Sequence, residues 1–196
     1  MFLKKINYFL IRFVFIIFIL KASILSGKEI EQSFVNNYID ELKNFSSSFI
    51  QDNGGDISEG KMYIGKKRVR LDYNKPANLL IVLDEDKAMY YNYDLEEVEF
   101  FNPQKTTAWF FFEIFKNKEY FSDADFNLNN NNLVIQKSGV SDGETYDMKI
   151  NFETSPLILR KIELKLNNNY FLFSLFDHKY NESFHKKFFK LIRPKT

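Results

Sequence analysis

Between residues 45 and 101 the chain is written as short extended runs. The segments 45–51, 60–64, 69–73, 79–83, 89–93 and 98–101 each alternate apolar and polar residues or stay apolar, and polar or glycine-bearing breaks separate them. A period of two interrupted by turn residues predicts a meander of antiparallel strands. The phase changes once: Met62 and Ile64 are followed by Val69, Leu71 and Tyr73, which makes Gly65-Lys66-Lys67 a turn or bulge. Arg68, Arg70 and Asp72 take the other side of that strand, the side expected to face water. Lys75-Pro76 ends the pairing, because proline offers no ladder donor.

Two stretches follow a helical period instead. Ile30, Phe34, Val35, Tyr38, Ile39 and Leu42 fall three or four residues apart, with Glu31, Asn36, Asn37, Asp40 and Lys43 opposite, which predicts an amphipathic helix lying on a sheet. After a cap at Thr106 or Thr107, the run Ala108 to Phe115 (Ala-Trp-Phe-Phe-Phe-Glu-Ile-Phe) is apolar nearly all round. Such a helix is either buried on every side or sits over an apolar space as a lid.

The second half repeats the strand pattern. Residues 127–132 read as an asparagine-rich turn, and 133–135, 146–152, 156–166 and 169–176 as strands, with strict alternation from Ile162 to Leu166. Ser141-Asp142-Gly143 and Asn167-Asn168-Asn169 supply hairpin turns. Residues 184–192 are expected to form a last edge strand protected by its lysines. Leu79 to Leu83 and Tyr170 to Phe176 are apolar on both faces, which fits a plain sandwich core equally with strands covered by helices or cargo on one side. The expected fold class is mainly β with helices (α+β).

Composition narrows the chemistry. Phe, Tyr and Trp make up 18% of 196 residues, 23 of them Phe, so a large apolar surface must be covered. Cysteine is absent, which excludes disulfides, thiolate metal sites, thiol nucleophiles and a lipidated N-terminal cysteine. Lys4, Lys5 and Arg12 precede the apolar run Phe13 to Leu20, and Ser26-Gly27 follow, the layout of an export signal over residues 1–27 ahead of a single domain, 28–196; an uncleaved anchor is the other reading. Four of the 27 basic side chains and none of the 26 acidic ones lie in that segment, so the remainder carries 23 against 26, a net charge of −3. That balance argues against nucleic acid as a partner. His178 and His185 lack a companion at metal-ligand spacing and are expected at the surface, and Asp84-Glu85-Asp86 reads as a solvated turn rather than a calcium site. No nucleophile elbow, dinucleotide fingerprint or phosphate loop is present. No catalytic residue, metal or cofactor is therefore expected, and the chain is not expected to be an enzyme.

A helix is followed by Phe45-x-x-x-Phe49-x-Gln51, then Glu59-Gly60 with Tyr63, then Arg70-x-Asp72-Tyr73-x-x-Pro76, Ile81-x-x-Asp84, and Tyr90-Tyr91-x-Tyr93-Asp94-x-x-x-Glu97-Val98. This ordered series resembles the LolA family of periplasmic lipoprotein carriers, densely over residues 30–101 and weakly on to Phe184 and Pro194. The resemblance implies an unclosed antiparallel β-barrel whose concave apolar face is covered by lid helices. It implies acyl chains of lipoproteins as cargo, with an inner-membrane lipoprotein-releasing ABC transporter and an outer-membrane acceptor as partners, a monomeric state and a periplasmic location. Phe49, Tyr63, Val69, Leu71, Ile81 and Tyr91 are then candidates for the cavity wall, and Trp109, Phe111, Phe112 and Phe115 for the lid.

The turn at Gly65-Lys66-Lys67 departs from the resemblance. Relatives carry Arg-Pro there, and that arginine ties the lid down. Lys66 is the candidate latch, although its ammonium is a point charge and not a forked donor. Val69 matches an apolar position tied to cargo handover. The competing expectation is a related binding or sensing module, either an acceptor, which would carry a lipidated cysteine, or a lipoprotein sensor, which would carry a further C-terminal domain.

Overall fold

The computed structural model describes residues 31–192, so the export signal expected over 1–27 lies outside the described residues. The chain divides into two compact units, Met1–Asn37 and Tyr38–Thr196. The described part of the first, residues 31–37, is helical, and this helix, α1, runs on to residue 41. Its buried stripe is narrower than the sequence suggests: Val35, Tyr38 and Leu42 are buried, but Phe34 is 64% exposed.

The second unit is built on one antiparallel sheet of 11 strands in the order β6-β5-β4-β3-β2-β1-β11-β10-β9-β8-β7. The first half of the chain supplies β1 (Phe45–Asp52), β2 (Ile57–Ile64), β3 (Val69–Lys75), β4 (Leu79–Leu83), β5 (Ala88–Asn92) and β6 (Glu97–Phe101). The second supplies β7 (Asp125–Asn129), β8 (Asn132–Ser141), β9 (Glu144–Thr154), β10 (Leu157–Leu166) and β11 (Asn169–Lys179). The halves join where β1 pairs with β11, while β6 and β7 have no further strand partner among the described residues, so the sheet is unclosed and the fold is α+β as expected.

Turn chemistry explains why the strands are this short. Asp142 and Gly143 both adopt positive φ in the β8–β9 hairpin, as does Asn167 between β10 and β11. The β2–β3 turn closes with the Gly65 N–H donating to Arg68 O at 2.9 Å, at the predicted change of phase. Gly60 faces Phe49 across β1 and β2, and a Cβ there would meet the Phe49 ring at 2.6 Å and run into Asp72 O, so only glycine lets that ring lie flat on the sheet.

Helix α2 (Ala108–Lys116) leaves the β6 edge and lies over one face, here the inner one. A short 3-10 turn, Pro103–Lys105, leads into it, with the Asn102 side chain accepting the Gln104 N–H at 3.0 Å. Thr107 stands at the cap position without a side-chain cap bond, while Thr106 Oγ1 donates to Pro103 O at 2.8 Å. The helix stops at Asn117, whose backbone N–H and side chain both donate to Glu113.

Two elements differ from expectation. Residues 127–129 are strand, not turn, because Asn127 and Leu128 pair with Val134 and Leu133. Residues 184–192 form turns and irregular chain instead of an edge strand. Their carbonyls are taken by side chains of β3 or its preceding turn, Arg68 donating to Phe189 O at 2.8 Å and Arg70 to Phe188 O at 2.7 Å. The segment thus covers the outer face of β3 to β5, the face expected to be wet. Leu80, Val82, Met89 and Tyr91 form a closed apolar cluster there with Leu191 packed on it, and the Arg70 guanidinium lies 4.1 Å from the centre of the Phe188 ring.

Candidate functional site

The rows of the sheet decide which side chains meet. Met62, Leu71, Ile81 and Tyr90 stand opposite one another on the inner face, and Tyr63, Arg70, Val82 and Met89 on the outer. Across the junction, Phe173 and Ile162 pair on the inner face, as do Phe171 and Leu164. Helix α2 packs its rings on the second half of the sheet, Phe111 on Phe173 of β11 with ring centres 4.4 Å apart and Phe110 on Tyr146 of β9 at 4.9 Å, and it also meets β3 and β4 of the first half.

Between helix and sheet a cavity of about 270 Å³ remains. Leu71, Ile81, Ile162, Leu164, Phe171 and Phe173 form its floor, and Ala108, Phe110, Phe111 and Ile114 its roof. One end is polar. Tyr73 donates to Gln51 Oε1 at 2.7 Å, and Gln51 Nε2 donates to Asn53 Oδ1 at 2.7 Å, so the lining hydroxyl and amides satisfy one another. Burial raises the Tyr73 pKa above its ordinary value and keeps it a neutral donor. The volume falls just below the usual range of ligand pockets, roughly 300–1,000 Å³, with the α2 rings of Phe110 and Phe111 forming its roof.

On its far side α2 borders a more open cleft of about 690 Å³, where Trp109 stacks on Phe112 at 5.0 Å beside Lys66, Lys67 and Arg68. The bond between the turn and α2 is made there, and it runs in the opposite direction from the expected one. Lys116, in the last turn of α2, donates to Gly65 O at 2.7 Å, whereas the Lys66 side chain is exposed and has no hydrogen bond or ion pair with a described residue. Burial, with a smaller contribution from the charge of Lys43, lowers the Lys116 pKa to about 8. Gly65 also carries the other cover: a Cβ on it would meet the Phe189 ring at 2.7 Å, so glycine lets the C-terminal segment close over the turn.

The candidate residues therefore separate into groups. Leu71, Ile81 and Phe111 line the cavity, and Phe49 lies beneath its wall against Tyr73 and Phe173. Trp109 and Phe112 face the open cleft, Phe115 is buried, and Val69 is fully buried beside the turn. Tyr63 and Tyr91 are on the outer face, Tyr63 against Phe184 and Phe188 and Tyr91 in the outer cluster.

Gln51, Tyr73, Phe110, Ile114, Phe171 and Phe173 line the cavity and Lys116 the open cleft, although none of them is among the expected site residues. Tyr73 continues the phase of Val69 and Leu71, and Phe171 and Phe173 the phase of Leu175, so periodicity could have found them. His178, expected at the surface, is half-buried: Nε2 donates to Leu159 O at 2.8 Å, leaving Nδ1 2.8 Å from Ser47 Oγ. Burial lowers its pKa, and the neutral ring ties β11 to β1 and β10. Tyr38 of α1 accepts the Leu159 N–H at 3.0 Å, beside the register shift between Leu159 and Lys161. Among the described residues no group of three or more His, Cys, Asp or Glu is placed to hold a metal ion.

The family described as Outer membrane lipoprotein carrier protein LolA matches residues 40–192. No curated protein sequence matches at a significant level. Among solved structures, an uncharacterized conserved protein from Thermus thermophilus is similar with 10% identity and a TM-score of 0.49, covering 80% of this chain and 89% of that one. MucB in complex with MucA(peri) shows 11% identity and a TM-score of 0.47, covering 82% of this chain and 58% of that chain. The MucA/MucB complex of Pseudomonas aeruginosa shows 12% identity and a TM-score of 0.46, covering 81% and 60%. The chain thus spans about three fifths of each MucB chain.

Proposed function

The chain belongs to the LolA family, and from that premise we propose that it is a periplasmic carrier that takes the acyl chains of lipoproteins into the groove under α2. The observation that carries this reading is the apolar cavity itself, roofed by a helix whose own rings stand in for cargo. Lifting α2 exposes its buried side chains Phe110, Phe111, Phe112, Ile114 and Phe115, at roughly 2 kcal/mol for each large apolar side chain, on the order of 10 kcal/mol together. An acyl chain that buries about a dozen methylenes in their place recovers on the order of 10 kcal/mol. The two terms are of the same order, so an acyl chain and α2 compete for the groove, and the empty groove stays covered in water.

Release to an outer-membrane acceptor and loading from an inner-membrane transporter follow from the same exchange, with α2 returning as the chain leaves. The test is binding of a triacylated lipoprotein against its non-acylated form. Binding that requires the acyl chains supports the carrier; equal binding of both forms favours a binding or sensing module that reads the polypeptide.

A further inference from the structure

We propose that the free edge of β6 is a docking site for an extended partner strand that alternates basic with apolar side chains. Strand β6 ends the sheet, so one side of its backbone has no ladder partner among the described residues. Its side chains sort by face. Glu97 and Glu99 pair with Asn92 and Tyr90 on the inner side, and neither has a hydrogen bond or ion pair with a described residue. Val98 and Phe100 pair with Tyr91 and Met89 on the outer side, where they prolong the rows of the outer cluster and remain 41% and 45% exposed.

The outer cluster therefore stops one strand short of its natural edge. Leu80, Tyr91 and Val98 form one row, and Val82, Met89 and Phe100 the next, each ending half-wet at β6. An added strand would place apolar side chains beside Val98 and Phe100 and basic ones beside Glu97 and Glu99. Lys87 lies 4.3 Å from the centre of the Phe100 ring, so basic groups of the partner are repelled on the outer side and held to the inner one.

A second copy of this chain is the poorer occupant. Antiparallel pairing of β6 with itself that keeps Val98 and Phe100 on the outer side sets carboxylates against carboxylates. This inference concerns the edge alone and does not depend on what fills the groove.

The experiment is fluorescence anisotropy of blocked nine-residue peptides with the purified protein. One peptide alternates Lys with Val, one alternates Glu with Val, and one is the Lys peptide N-methylated at alternate residues. The Lys peptide is expected to bind, and the Glu97→Lys/Glu99→Lys variant to weaken it roughly fivefold while the Glu peptide gains. Both positions are exposed, and an unchanged thermal midpoint shows that the variant folds. Absence of Lys-peptide binding, binding that the variant leaves unchanged, or equal binding of the N-methylated peptide would each overturn the proposal. So would sedimentation showing a dimer that the variant dissolves, which would assign the edge to a second copy.

Discussion

Strands β3 to β5 carry an apolar layer on each face, and the two layers are finished in opposite ways. On the outer face Leu80, Val82, Met89 and Tyr91 are packed shut, and the covering segment is held by Arg68 and Arg70 on its carbonyls. The inner face is roofed by α2 over a cavity of about 270 Å³, and the end of that roof is fixed by Lys116 on Gly65 O. The outer layer is a closed core, while the inner layer keeps a cavity between the sheet and α2. Gly65 belongs to both, with its carbonyl under the lid and its Cα under Phe189.

The largest effect is expected at the turn they share. Val69 is fully buried there, so Val69→Glu places a carboxylate without partners in the core and should cost about 4 kcal/mol or more in urea unfolding. A variant that stays folded but releases cargo poorly would restore the handover role that its sequence position suggests.

Next comes a direct contrast of the layers. Met89→Ala in the outer cluster should cost roughly 2–4 kcal/mol, whereas Ile81→Ala, which only enlarges a cavity already present, should cost less than about 1.5 kcal/mol and change acyl affinity instead. Equal losses in urea unfolding would dissolve the distinction between the layers.

The lid bond has a pH signature. Around Lys116 the charged groups are Lys43, Lys66, Lys67, Glu85 and Glu113, with Arg68 paired to Asp84. Lys116 titrates at about 8 with the lid closed, while an exposed lysine holds its proton to about 10.4. Protons therefore bind the open form more tightly, and closure should strengthen as pH rises from about 8 to 10, by at most about 3 kcal/mol. Trp109, the single tryptophan, lies on α2 and reports the change by its emission. Lys116→Met should flatten that pH profile.

Much of this was readable in advance and some was not, for identifiable reasons. The alternation in β1 to β6 and the phase change at Gly65 are local properties, and the strands formed where they indicated. Asn127 and Leu128 became strand because Val134 and Leu133 pair with them, which outweighs the poor strand propensity of asparagine. Leu79 to Leu83 announced two apolar faces, but what covers each is settled elsewhere in the chain, the inner face by α2 (Ala108–Lys116) and the outer by the far C-terminal segment around Leu191. Tyr63 and Tyr91 fall on the outer face and not in the cavity wall for that reason, since a period of two separates faces without saying which is inner. Lys116 reads locally as a cation suited to a helix C-terminus, and only the fold brings it to Gly65 O, where it ties α2 to the β2–β3 turn.

The smallest expected effect is at Lys66. Being exposed and without a bonding partner among the described residues, Lys66→Ala should leave both stability and the pH profile of Trp109 emission unchanged, within about 0.5 kcal/mol. A shift in that profile would return the latch to the turn's side chain.

The central claim, that cargo replaces the rings of α2 in the inner groove, is tested most directly by titrating the protein with an acylated lipopeptide carrying a nitroxide on its acyl chain. Saturable quenching of Trp109 that follows the binding isotherm is the predicted result. Binding that leaves Trp109 unquenched would place the acyl chain elsewhere and contradict the account.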